Sequence, residues 1–452
     1  MQTIKMVLNY LVFISIVAIG TILLVAFARG YTFDPGSGEV IRYGLVQIES
    51  KPTNAQVVIN DELSGKDTPF RESYNEGRYT IKLQREGFIN WQKTVDLIGG
   101  EVTSIAYPLL VPLENQYKNF ENYPDETSLS LSPNQTYFMS VSDRKLTVLN
   151  LNSNNAQPES ITIVPSEDGP LGELTGINWS NNEDIALLGF KNKSGTTYYL
   201  YDSLRKEIAP ITAEIKSARI KGLIASTQNY IVLGEKNQLS LFNTSNNQKI
   251  VLSSDARNAS WANGTIVWYD VPTKSLLSYR DGERVKIPTL RDMDSDTEIL
   301  VSEQNGELNL AYRSNNELRI ILSALNEPFE RTVSDVDRLR SFSPDGRFAL
   351  FESNGNLQTY DLKELRQRDT TQEVSTLKQV SWIDGFHLSA LRGDEHIVFE
   401  FDGQNTMTIA ESTNPLNTFI SGNLSYGYSL QRDVDSGAAR LLRVELAAAE
   451  LL

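Results

Sequence analysis

The sequence predicts an all-β chain led by a single apolar helix. Three observations carry this. A turn-and-hairpin unit recurs over most of the length, between Thr127 and Leu446. Short apolar runs bounded by Gly, Pro, Asn and Asp fill the segment before it, with no helical period. One stretch, Met6 to Ala28, is nearly free of polar residues.

The clearest copy of the unit is Phe342 to Leu362. Ser343-Pro344-Asp345-Gly346 suits a tight turn, with proline setting φ and glycine tolerating the last position. Phe348 to Phe351 is apolar on both parities, as expected of a strand covered on both faces. Asn354-Gly355 marks a two-residue hairpin, and Leu357, Tyr360 and Leu362 carry the return strand. One hairpin cannot bury two faces, so the sequence asks for stacked copies.

At 452 residues and a formal net charge of −15, the chain has material for more than one domain. The acidity and the lack of a basic stripe exclude a nucleic-acid binder, which needs clustered Lys and Arg. The absence of cysteine excludes disulfides, thiolate metal sites, cysteine nucleophiles and a lipidated cysteine.

In chain order, residues 1–29 form a short polar start and a transmembrane signal anchor. The apolar run of 23 residues, 6–28, spans roughly 35 Å as a helix, enough for a bilayer core. Ala26-Phe27-Ala28 also fits a signal-peptide cleavage site, but the run exceeds the roughly 7–15 apolar residues of such peptides. Lys5 on one side, with Asp34 and Glu39 on the other, favours a cytoplasmic N-terminus and an extracytoplasmic bulk. Residues 30–43, with Gly30, Pro35, Gly36 and Gly38, read as a juxtamembrane linker.

Residues 44–112 read as a small β-sandwich. Val57 to Ile59 is a strand ending at Asn60-Asp61, and Gly65 to Phe70 is a loop. Tyr79 to Leu83 alternates strictly, and Trp91 to Leu97 and Val102 to Leu110 complete the segment. Ser50-x-Pro52-x-x-Ala55, Thr68-Pro69, Glu76-Gly77-Arg78-Tyr79 and Gly87-Phe88 together resemble a PEGA domain. Gly65 lies one residue further from Thr68-Pro69 than in that pattern, and Asn75 stands where it has proline. The resemblance implies a small extracytoplasmic or surface-associated β module with no catalytic residues of its own.

Residues 113–452 read as a β-propeller. After a polar connection, the unit recurs at Ser132, Trp179, Ser226, Trp261, Asn305, Ser343, Trp382 and Gly422, a spacing of about 40 residues. Ser132 to Leu151 repeats the 19-residue offset of Ser343 to Leu362. The Ser-Pro-Asp-Gly turn and the later Tyr-Asp-Leu strand end resemble the WD40-like and TolB-type propeller repeats, and the degenerate copies imply seven or eight blades. Residues 110–126, or the tail after 446, are expected to complete a blade from the other terminus.

Candidate chemistry is sparse. The two histidines, His387 and His396, sit within an apolar run and at a strand entry, so both read as structural. Asp292, Asp294, Asp296 and Glu303 have the carboxylate offsets of a calcium loop, but Thr297 replaces the glycine its turn needs. An acidic connecting loop is the simpler reading, so no metal and no cofactor is expected. Trp179, Trp261 and Trp382 share one repeat position and read as repeated core residues rather than a sugar-binding rim. The expected partners are the bilayer, through residues 6–28, and an envelope protein or glycan. The expected function is a membrane-anchored, non-catalytic binding or scaffold propeller. The alternative is an envelope-associated hydrolase with a carboxylate site in the propeller funnel.

Overall fold

The computed structural model describes residues 2–28, 30–33, 38, 40–124, 127–142, 144–154, 157–165, 171–193, 195–211, 219–224, 230–288, 297–433 and 436–446. The chain divides into two compact units, one running to Glu114 and the other from Asn115 to Ala449.

The first unit opens with a helix, Gln2–Ala28. Its described large side chains, from Tyr10 to Val25, are exposed apolar groups. Among the described residues no helix is long and apolar enough to cross a membrane. The described side chains end at Ala26, and Tyr10 to Ala26 covers about 25 Å of helix.

Two four-stranded sheets follow. In one, Val40–Ile48 pairs with Phe70–Asn75 on one side, and with Tyr31–Phe33 and the parallel Val102–Ile105 on the other. The other has the order Glu62–Asp67, Gln56–Ile59, Gly77–Gln84, Trp91–Leu97. Ile48, Val57, Ile81, Leu83 and Trp91 are fully buried in one core drawn from both sheets, so the unit is the expected sandwich.

Two expectations within it are corrected. The segment 30–43 is not simply a linker, because Tyr31–Phe33 and the start of Val40–Ile48 form an antiparallel pair. Gly65 to Phe70 is not one loop, because Glu62–Asp67 is a strand. Asn60 and Asp61 both have positive φ, which makes a two-residue hairpin turn and starts the return strand at once. The strand is polar because it lies at a sheet edge, where charged side chains are common.

The second unit is a β-propeller. Among the described residues it holds eight four-stranded antiparallel sheets. Blades 1 to 7 occupy residues 128–162, 173–211, 219–253, 256–287, 298–333, 338–373 and 377–411, each in simple strand order. Blade 8 takes Asn417–Ile420, Tyr426–Arg432 and Ala439–Glu445 from the C-terminal part of the chain, and its outer strand, Lys118–Tyr123, from the start of the unit. The polar connection after the sandwich is therefore the closing strand.

Successive blades pack face to face. Shared apolar clusters join blades 1 and 2, 2 and 3, 3 and 4, 4 and 5, and 5 and 6. Phe348 stacks on Phe401 between blades 6 and 7, and Gln379 of blade 7 accepts from Thr418 of blade 8. Phe138 stacking on Phe419 closes the ring between blades 8 and 1. This is why Phe348 to Phe351 is apolar on both parities: each blade has a neighbour on both sides.

Candidate functional site

Residues singled out by the sequence first have to be separated from residues the fold consumes. In blade 6 the Ser343 hydroxyl accepts from the Phe348 amide and donates to Asp345, while the Gly346 amide bonds to the Ser343 carbonyl. Gly346 has φ +75. The same closure recurs around Ser132, Ser180 and Ser421 in blades 1, 2 and 8. There Gln135, Glu183 and Leu424 take the left-handed position that glycine takes in blade 6. Asp345 is thus a turn residue.

The acid at the end of the third strand has a similar task. Asp361, fully buried, accepts from the Lys363 and Glu364 amides and forms a two-pronged pair with Arg347. Asp202 and Asn243 accept from the next turn in the same way in blades 2 and 3. A buried carboxylate held by two amides and a guanidinium is well satisfied, so the Tyr-Asp pair is a folding signature.

The three tryptophans sit at or next to the last residue of the innermost strand of blades 2, 4 and 7. Two of the rings pack on the first residue of the second strand of the preceding blade, and the third shares a cluster with its counterpart. Trp179 stacks on Tyr137 at 6.0 Å, Trp382 stacks on Phe348 at 6.0 Å, and Trp261 shares a cluster with Tyr230. A Cβ at Gly222 would lie 2.1 Å from the Trp261 ring, so glycine is required there.

Both histidines belong to blade 7. His387, almost fully buried, has Nδ1 2.9 Å from Asp384. Burial works to raise the Asp384 pKa, but His387 and the Phe386 and His387 amides outweigh it and hold the carboxyl below its ordinary value. His396 has no exposure and lies between Ser389, 2.7 Å from Nε2, and the Tyr117 hydroxyl at Nδ1. Burial pushes its pKa down to about 3. Ser389 is also fully buried, so this serine–histidine pair has no route to a substrate.

Of the calcium-loop candidates, Asp292, Asp294 and Asp296 lie outside the described residues. Glu303 is on the innermost strand of blade 5, Glu298–Gln304, and pairs with Arg280 of blade 4 at 3.1 Å. Among the described residues no cluster of His, Cys, Asp or Glu fits a metal ion.

At the end of the ring where these turns lie, side chains reach beyond adjacent blades. Gln135 of blade 1 donates to the Trp382 carbonyl of blade 7 and accepts from the Ile420 amide of blade 8. Asn181 of blade 2 donates to the Trp261 carbonyl of blade 4. Two cavities flank the second hairpin of blade 1. One, of about 540 Å³, lies at the junction with blade 8 and is lined by Asn122, Thr127, Ser140, Lys145, Thr147 and Ser160. The other, of about 850 Å³, lies toward blade 2 and includes Arg144, Glu173 and Phe190. The sequence reading passed over the hydroxyl residues of the first cavity. Their signal was a departure from the repeat: Ser140 and Thr147 interrupt strands that the pattern expects to be apolar.

Comparison with known proteins agrees with this architecture. A family model for the PEGA domain matches residues 43–110. No curated protein matches the chain. Among solved structures, the dipeptidyl peptidase 4 of Porphyromonas gingivalis is 12% identical with a TM-score of 0.50, over 71% of this chain. This chain spans 58% of that peptidase's length, and the likeness is one of fold. The Dos1 propeller is 12% identical over 72% of this chain and 94% of its own, with a TM-score of 0.43. Hsv2 of Kluyveromyces lactis is 13% identical over 71% and 97%, with a TM-score of 0.37.

Proposed function

We propose that this protein is a membrane-anchored, non-catalytic binding or scaffold protein that presents its propeller to an envelope protein or polymer outside the cytoplasm. The observation that carries this reading is the fate of its reactive side chains. The only serine–histidine pair of blade 7 is fully buried, and the signature acids Asp345, Asp361 and Asp384 are bound to backbone amides. A hydrolase in the funnel would need a carboxyl raised toward neutrality as its acid. Asp270 and Asp384, the two carboxyls with a clear displacement among the described residues, both move down. For Asp270, burial raises the pKa, but bonds from Ser253, Thr273 and Trp268 overcome it.

The anchor rests on the exposed apolar helix and on the 23-residue apolar run within it. Such a surface is stable in lipid and costly in water. The PEGA domain, extracytoplasmic in the proteins it resembles, supports the orientation.

Crosslinking on intact cells, followed by identification of what the propeller captures, tests the binding role. Capture of an envelope component is expected, whereas turnover of envelope glycan or peptide by the purified chain would overturn the non-catalytic reading. Protease shaving of intact cells tests the orientation. Survival of residues 44–452 until lysis would overturn it.

A further inference from the structure

The junction of blades 8 and 1 differs from the junctions of blades 1 and 2 and of blades 5 and 6 in one respect. In each blade, alternate side chains of the second strand face the preceding blade. Counted from the turn serine, blade 2 places Leu188 on that face and blade 6 places Phe351, both fully buried against their neighbour. Blade 1 has Ser140 there; blade 8 also has a serine, Ser429, but it is fully buried and its hydroxyl is bonded to Ser412. Thr147 lies opposite Ser140, and Ser160 opposite Thr147, so a row of hydroxyls crosses three strands. The Thr147 and Ser160 oxygens are 3.1 Å apart. The space that leucine or phenylalanine fills elsewhere opens here into the groove of about 540 Å³ beside the closing strand.

The groove carries unmet hydrogen-bonding capacity. Thr127 is 8% exposed, and its buried hydroxyl has no hydrogen-bond partner among the described residues. A buried polar group in that state is destabilising until an outside partner satisfies it. Lys145, at the end of the hydroxyl row, is exposed and makes no ion pair among the described residues. The apolar contributors, Tyr123, Pro124 and Pro158, offer no exposed aromatic anchor for a peptide. The groove meets the second cavity at Pro124 and Ser142, where Arg144 adds another cation. Glu121 of the closing strand also lines the groove, so a carboxylate is suited to its Lys145 end; a ligand that fits these walls is extended, rich in hydroxyls and bears carboxylates.

We propose that the groove between blades 8 and 1 is a binding site for a carboxylate-bearing oligosaccharide. Its sugar hydroxyls pair with Thr127, Ser140, Thr147 and Ser160, and a carboxylate pairs with Lys145. This rests on the reading of the propeller as an envelope-binding module and names the polymer and the place.

The test is calorimetric titration of the full chain in detergent micelles with a galacturonic acid hexamer. A neutral glucose hexamer and a glutamate hexapeptide serve as comparisons. Binding of the uronate alone is expected. Ser140→Phe, which copies blade 6, should abolish it by filling the groove, while Ser140→Ala, which keeps the space, should retain it. Lys145→Gln should weaken it about tenfold, the value of one charge-assisted hydrogen bond. A coincident thermal melt shows that Ser140→Phe is folded. If that variant does not fold, Lys145→Gln and Thr127→Val decide. No uronate binding, equal binding of the peptide or the neutral sugar, or binding unaffected by these substitutions would overturn the proposal. Capture on cells that persists in Ser140→Phe would leave the envelope-binding reading intact while removing this site. No capture by the unaltered protein would remove the parent reading instead.

Discussion

At the scale of single residues, burial and hydrogen-bond partners together decide what each titratable group does. His396 is held neutral between Ser389 and Tyr117, with its pKa pushed by burial down to about 3. An unfolded histidine titrates near 6.5. Between these values the unfolded chain binds a proton that the folded chain refuses, so stability rises with pH across that window. The contribution is complete above about pH 6.5 and declines as the pH falls toward 3. Asp384 acts in a lower window. Its carboxyl is depressed, so its contribution is present above about pH 4 and is lost as the pH falls through the folded value. Denaturant midpoints measured from pH 7 to pH 4 should therefore fall, and His396→Gln should flatten that slope. An unchanged slope in the variant would mean that another group carries it. In the sandwich, the motif residues Ser50 and Thr68 are explained in the same way. Their buried hydroxyls lie 2.6 Å apart, and Thr68 also accepts from the Ala55 amide. Ser50 keeps its bond to the Pro52 carbonyl in Thr68→Val, but the Ala55 amide is left unmet, so the chain should be destabilised by about 1–3 kcal/mol, read from the unfolding midpoint.

At the scale of elements, the repeat was legible because local chemistry sets it. Turn serines, Asn-Gly hairpins and two-faced apolar strands are written into consecutive residues, and the structure uses them as the sequence suggests. The tryptophans were legible as core residues for the same reason, and their stacking on Tyr137 and Phe348 gives the cause. Trp382→Phe keeps that stack, so the expected change is within about 1.5 kcal/mol, whereas Trp382→Ala should cost about 3–5 kcal/mol. Equal losses in the two variants would argue that the indole, and not ring packing, is what the position requires. What the sequence did not reveal depends on distant partners. Gln135 looks like a degenerate glycine position. Its role, bridging the Trp382 carbonyl and the Ile420 amide, exists only once the ring has closed. Gln135→Ala leaves two backbone groups without those partners and should cost about 1–3 kcal/mol by denaturant titration. Glu62–Asp67 was misread for a related reason, since an edge strand needs no apolar face to form. The hydroxyl groove left only a faint signal, because a serine in a strand stands out little until the matching Leu188 and Phe351 are seen to be buried.

At the scale of the whole molecule, the ring depends on one short, long-range pairing. Lys118–Tyr123 meets Ala439–Glu445, so the unit cannot close until nearly all of its chain is in place. Pairings between segments this far apart in sequence are slow to form, because loop closure precedes any gain from contact. Before closure, the edge of blade 8 exposes unpaired backbone groups, the kind of surface that recruits another chain. The closing strand therefore protects against association as well as adding hydrogen bonds. This can be tested because the chain has no cysteine of its own. Asn122 and Arg440 stand opposite each other in the closing pair. Directly opposed strand residues are about 4.5–5.5 Å apart at Cα, within reach of a disulfide. The double variant Asn122→Cys, Arg440→Cys should oxidise without distortion. Oxidation should raise stability by about 2–4 kcal/mol over the reduced form, because it removes the open ring from the unfolded ensemble. The comparison is one protein with and without reductant, so the substitutions themselves cancel. It should also suppress concentration-dependent association in mild denaturant, if that association proceeds through the opened seam. Free thiols that persist under oxidant, or identical midpoints in the two redox states, would show that these strands do not form the closing pair.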